Sequence, residues 1–158
     1  MSQPNPYAPP GAALPDLPVK AGSPLKAIIL GLVVDIVGTT VGSLLLGAVY
    51  GSALAASGAS FDELAAEGEG VAADSWLFWI TTAMGLAFSV LGGYVCARIA
   101  RRNELRLGAI LAALSALIGY LIAAGHYELG TFLSLTIASM AAVIGGARLG
   151  QAKNRGTK

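Results

Sequence analysis

An uninterrupted apolar run of roughly 18 residues or more leaves a chain few choices, because a helix is the only single segment that can bury its own backbone polar groups in a medium without water. This sequence contains four such runs, at about residues 27–50, 76–97, 107–124 and 130–147. A helix rises ~1.5 Å per residue and a bilayer's hydrocarbon core is ~30 Å thick, so even the two shorter runs, at ~27 Å, are adequate. The last two runs are joined by only residues 125–129, too few for anything but an antiparallel hairpin. Charged residues make up only 12% of the chain, where a soluble domain carries about 25%. A chain this apolar cannot cover its own surface with polar groups. The expectation is an all-α, polytopic membrane protein: a bundle of four transmembrane helices.

Apart from Asp35, the charges fall outside the runs, and they fall unevenly. Lys20 and Lys26 precede the first run, Arg98, Arg101, Arg102 and Arg106 surround the connection between the second and third, and Arg148, Lys153, Arg155 and Lys158 follow the fourth. The first and third connections contain no Lys or Arg. Cytoplasmic loops are enriched in these residues, which places both termini and the middle connection inside. The domain reading is a Pro-rich cytoplasmic tail over 1–24, a membrane domain over 25–150 and a basic cytoplasmic tail over 151–158. A net charge of +1 and a pI near 7.9 point to no nucleic-acid partner.

All seven prolines, Pro4 through Pro24, lie in the first segment. Proline fixes φ and removes a backbone donor, so this tail is expected to be disordered. Pro6-Tyr7-Ala8-Pro9 has the spacing of a proline-rich ligand. The first outer connection is acidic, with Asp62, Glu63, Glu67, Glu69 and Asp74. Ser60-Phe61-Asp62-Glu63 reads as a capping box for a short helix, and the ligand spacing matches no calcium loop. Trp76 and Trp79 stand where indole rings favour a membrane interface.

In lipid, helices associate through close approach at small residues and through polar contacts. Each run carries a small-residue stripe: Gly31, Gly38 and Gly42 in the first; Gly85, Ser89, Gly92 and Gly93 in the second, with Cys96 beyond; Gly108, Ala112, Ser115 and Gly119 in the third; Ala138, Ala142, Gly145 and Gly146 in the fourth. At 100° per residue the first stripe lies within about 80° of Asp35, Thr39 and Ser43 included, while Val33, Val37, Val41 and Leu44 point away. Cys96, the only cysteine, reads as a packing residue, and no disulfide within the chain exists. Val90-Leu91-Gly92-Gly93 matches Val143-Ile144-Gly145-Gly146, a faint repeat that would relate two hairpins about an axis along the membrane normal.

Gly92-Gly93-Tyr94-Val95-Cys96-Ala97-Arg98-Ile99-Ala100-Arg101 resembles a GGYVxARIAR-like stretch of small uncharacterised bacterial four-helix inner-membrane proteins. The Asp in the first run, the "SFDEL" of the outer connection and the second glycine pair fit the same pattern, and Asn5-Pro6-Tyr7-Ala8-Pro9-Pro10 looks like the tail of many proteobacterial inner-membrane proteins. Cys96 stands where that pattern has alanine. The resemblance covers roughly residues 25–150. It implies a multi-pass protein of the bacterial cytoplasmic membrane and brings no catalytic residues.

No phosphate loop, paired histidines, Cys-x-x-Cys or nucleophile elbow is present. The lone His126 sits in a short outer connection as an interface residue. The expectation is therefore a protein that is not an enzyme and carries no cofactor or metal. Asp35 is the exception to the chemical silence. An Asp at a helix centre costs ~2.5–3.5 kcal/mol, but each Leu, Ile or Val returns ~0.3–0.6, and the 13 in this run more than offset it. The run can insert with its Asp, whose carboxyl must then face protein or water. Two functions follow. In the first, the chain is an accessory, assembly or scaffolding component, in contact with the lipid bilayer and a homo-oligomer or membrane-protein partner, with Asp35, Thr39 and Ser43 as a polar packing site. In the alternative it is an oligomeric small transporter or channel component. Asp35 would bind a proton or cation, and Thr39, Ser89, Ser115 and Ser139 would line the route. A cavity at Asp35 would favour the alternative, and a fully bonded Asp35 the first.

Overall fold

A computed structural model of the chain describes residues 22–58, 60, 75–123 and 128–156. They form four helices: α1 (Pro24–Ala56), α2 (Trp76–Ala100), α3 (Glu104–Ala123) and α4 (Leu129–Arg155). All four are long and apolar enough to cross a membrane. The expected tail over 1–21, the capping box past Ser60 with its short helix, and His126 lie outside the described residues.

The helices run past the apolar stretches at several ends, and each extension has a local cause. Pro24 belongs to the first turn of α1 rather than to the tail. That position tolerates proline, because its missing N–H would have no intrahelical partner anyway. Residues 151–155 continue α4 rather than forming a tail, and Asn154 anchors them by donating to the Ala97 carbonyl at 2.9 Å and accepting from Arg98 at 3.0 Å. Ser75 caps α2, its hydroxyl accepting from the Leu77 N–H at 3.1 Å. Arg101 then ends α2 in the left-handed region, φ 52°, and its N–H bonds the Ala97 carbonyl. Asn103, also at φ 52°, starts α3.

α1 packs on α2, α2 on α4, α4 on α3 and α3 on α1, with α2 and α3 also touching; α1 and α4 do not meet among the described residues. The start of α1 is tied to the end of α2 by a bond from Gly22 N–H to the Ala100 carbonyl at 3.2 Å. Asn154 joins the end of α4 to α2 and, at 3.4 Å, to Glu104 at the start of α3. All eight basic residues within the described part therefore gather at one end of the bundle.

That basic half is where the helices are pressed together. A methyl on Gly31 would come within 2.9 Å of the Cys96 Cβ and the Gly92 carbonyl, and one on Gly92 within 2.7 Å of the Gly31 carbonyl. The α2–α4 contact is reciprocal. A methyl on Gly93 would strike the Val143 carbonyl, and one on Gly146 would strike the Val90 carbonyl. These are corresponding positions of the repeated tetrapeptide on two helices that run in the same direction, so the crossing has local two-fold symmetry. Ala97 and Gly150 continue it one turn on, a small-xxx-small arrangement that lets backbones touch. Leu111, Val143 and Cys96 are the largest fully buried side chains, and they cluster there.

Toward the other end the contacts loosen. Methyl groups on Gly47, Gly51, Gly119 or Gly130 would meet nothing within 4 Å. The outward face of α1 is apolar: Val33, Val37, Val41 and Leu44 are exposed, Leu44 at 68%. Asp35 and Ser89 are buried instead, the reverse of a soluble fold.

Candidate functional site

The inward polar groups converge on Asp35, which is only 5% exposed. It lies about a third of the way along α1, on the side that meets α2. There Gly92 has no side chain to hold it off; a Cβ at 92 would fall 2.9 Å from the Asp35 Cβ. The approach brings the carboxylate to two hydroxyls. Ser89 on α2 donates to Oδ1 at 2.7 Å, and Ser115 on α3 donates to Oδ2 at 2.6 Å. Ser139 on α4 lies 3.2 Å from the Ser89 hydroxyl. A serine has one hydroxyl hydrogen, and that of Ser89 is committed to Asp35, so Ser139 is the donor in this last bond. One residue from each helix thus enters a single network whose hydrogens all point toward the carboxylate. No buried side-chain nitrogen or oxygen lacks a partner among the described residues.

The network forms the floor of a cleft of about 420 Å³. The cleft runs from Asp35 away from the basic end, along the half of the bundle where the glycines do not touch. Its polar wall comprises Thr39, Thr40 and Ser43 of α1 and Thr81 and Thr82 of α2. Thr39 and Ser43 follow Asp35 at successive four-residue steps, one face of a helix. Its apolar wall comprises Ile36, Phe78, Leu86, Ile118, Ile122 and Leu135. Thr81 turns its hydroxyl back to the Leu77 and Phe78 carbonyls. Thr39, Thr40, Ser43 and Thr82 make no side-chain hydrogen bond among the described residues. Among the described residues no Lys, Arg or His lines the cleft, and no cluster of three metal-ligating side chains occurs.

The expected site residues divide by place. Asp35, Thr39, Ser43 and Ser89 come together at the cleft, as do Ser115 and Ser139. Gly31, Gly92, Gly93 and Gly146 sit at backbone contacts, while Gly38 and Gly42 are covered by the side chains of Phe88 and Met84. Two expectations fail. Gly119 and Gly145 are not helix-packing residues: a methyl on either would meet nothing within 4 Å. Gly145 is one position, or 100°, away from the contact that Gly146 makes, and Gly119 borders the cleft. Gly85 is intermediate, facing the Thr39 methyl at an ordinary 3.5 Å and lining the cleft as well. Sequence reasoning missed Thr82, whose signal was present: Thr82, Gly85 and Ser89 recur at helical spacing on α2. It also missed the Arg98–Asn154–Glu104 cluster, whose members are far apart in sequence and polar in the ordinary way of helix ends.

No family model matches this chain, and no curated protein or solved structure matches it.

Proposed function

We propose that the chain is a four-span protein of a bacterial cytoplasmic membrane, not an enzyme, which binds a solute in the Asp35 cleft and serves as a binding or transport component. The Lys/Arg asymmetry supports a topology with both termini and the 101–103 turn in the cytoplasm, so the cleft would face the opposite side. The observation that carries the reading is the cleft itself, with a carboxylate at its floor and unengaged hydroxyls on its wall. An intramembrane carboxylate is costly and marks a functional site by default. The glycine contacts of the basic half close the other end. A single copy therefore offers a site reached from one side, and passage would need a rearrangement or further copies.

A second reading is favoured by the hydrogen bonds. Asp35 accepts on both oxygens from hydroxyls of two other helices, which is what a polar packing tie in an assembly component would do. The small-residue stripes do not favour it, since the contacting glycines are consumed inside one chain.

Thiol accessibility separates the two. In a Cys96→Ala background, Thr39→Cys and Ser43→Cys should react with an impermeant thiol reagent added outside intact cells. Val37→Cys and Val41→Cys, on the outward apolar face, should not. If all four are equally inert, the cleft is dry and Asp35 is a packing tie. Labelling of Arg102→Cys from outside would reverse the topology.

A further inference from the structure

We infer that the cleft takes a small organic cation: a single positive charge on an apolar body. The inference rests on the cleft being a solute site, as proposed above, and adds what the solute is.

Size admits a molecule, and wall chemistry disfavours the simpler occupants. At ~30 Å³ per water, the cleft of about 420 Å³ has room for the equivalent of about 14 waters, and so for a molecule of about a dozen non-hydrogen atoms. The volume lies within the roughly 300–1,000 Å³ of small-molecule sites. A bare divalent ion is unsuited. It wants roughly six or more oxygen ligands at close range, whereas the floor supplies one carboxylate whose serine neighbours have turned their hydrogens toward it. Six of the seventeen lining residues are aliphatic or aromatic, and Ile36, Leu86, Ile118 and Leu135 have nothing to offer a hydrated ion but much to offer a hydrocarbon body. Phe78 adds an aromatic ring, the kind of surface that attracts cations.

Charge sets the sign. Among the described residues the lining holds one carboxylate and no Lys, Arg or His, so none of them places a positive group against it. Each carboxylate oxygen has two lone-pair sites. Asp35 spends one per oxygen on Ser89 and Ser115, which leaves one site on each oxygen of a residue that lines the cleft. Thr39, Thr82 and Ser43 give the approach a hydroxylated edge along which a charged head can descend without losing all its hydrogen bonds.

The test uses three probes of one shape and different charge: benzyltrimethylammonium, its neutral carbon counterpart neopentylbenzene, and the anion benzylsulfonate. Binding to the purified full chain in detergent is followed by calorimetry, with empty micelles as the blank. The cation should bind saturably, one per chain, and neither counterpart should compete. Asp35→Asn should weaken the cation at least ~10-fold, which is ~1.4 kcal/mol. Gly119→Leu keeps Asp35 and fills the cleft from a position where added atoms meet no helix. It should abolish binding at unchanged thermal stability, while Gly145→Leu, pointing into open space elsewhere, should leave binding intact. The Gly119 variant decides the matter if the Asp35 variant does not fold. Equal binding of the neutral probe, or cation binding that survives Gly119→Leu, overturns the inference. A cleft open to thiol reagents that binds none of the three probes also overturns it while leaving the solute-site reading standing; a cleft closed to those reagents removes both.

Discussion

Adjacent glycines with the same helical backbone and opposite surroundings make the sharpest test of the fold. Gly145→Ala and Gly146→Ala each replace the poorer helix former by the best one, a gain of about 0.8–1.0 kcal/mol on scales measured in water. At 145 nothing opposes that gain, since the new methyl meets no atom within 4 Å. At 146 the methyl strikes the Val90 carbonyl and comes within 3.0 Å of the Tyr94 nitrogen. Both are backbone atoms of α2, so no side chain can rotate out of the way and the helices must part. Overpacking of this kind costs about 1–3 kcal/mol, more where the neighbour is rigid. The same displacement would loosen the reciprocal contact of Gly93 with Val143. The propensity gain is common to both, so the two variants should differ by the overpacking cost, about 1–3 kcal/mol, with Gly145→Ala at or above wild type. Unfolding by sodium dodecyl sulfate in mixed micelles, followed by far-UV circular dichroism and tryptophan fluorescence, reads this difference directly. Equal effects at the two positions, or a larger loss at 145, would mean that α2 and α4 meet on another face and that the glycine crossing is misassigned.

Three further outcomes follow from the same geometry. Asp35→Asn should unfold within ~1 kcal/mol of wild type, because Ser89 can still donate to the amide oxygen and the Ser115 hydroxyl can turn to accept. Asp35→Leu strips both acceptors and crowds Gly92, and should cost about 1–3 kcal/mol in the same titration; a Leu variant as stable as the Asn one would show that the network contributes nothing. Ser89→Ala, which breaks two bonds in the buried chain, should destabilise more than Ser139→Ala, which breaks one. Interhelical polar contacts in membranes average ~0.6 kcal/mol with a maximum near ~1.7, so each loss should fall in that range. Arg101→Gly should stabilise by about 0.5–1 kcal/mol, because glycine adopts the positive φ of this residue without the steric penalty that arginine bears; a loss on thermal melting would show that the Arg101 side chain is needed at the turn.

How much of this was legible in the residues depends on which physical property each feature requires. Four apolar runs imply four long helices because apolar length is a property of the run alone. Likewise, an Asp amid thirteen Leu, Ile and Val side chains must turn inward whatever the neighbours are, and its face can be read from the 100° step. Val33, Val37, Val41 and Leu44 could be placed outward by the same step. Ser89, Ser115 and Ser139 were visible as hydroxyls in apolar helices, but not as a single network. Their meeting depends on helix rotation and depth, and hydroxyl positions constrain neither. The glycines show the limit most clearly. A missing side chain permits close approach without causing it. Gly146 meets a carbonyl and Gly145 meets open space, yet in the sequence the two are neighbours of equal standing. Only the assembled bundle decides that the helices close at the basic end, where Gly31, Gly92, Gly93 and Gly146 oppose backbone, and stand apart at the other. That difference leaves the cleft above Asp35, because space between helices is a property of how four surfaces fit together and belongs to none of them alone.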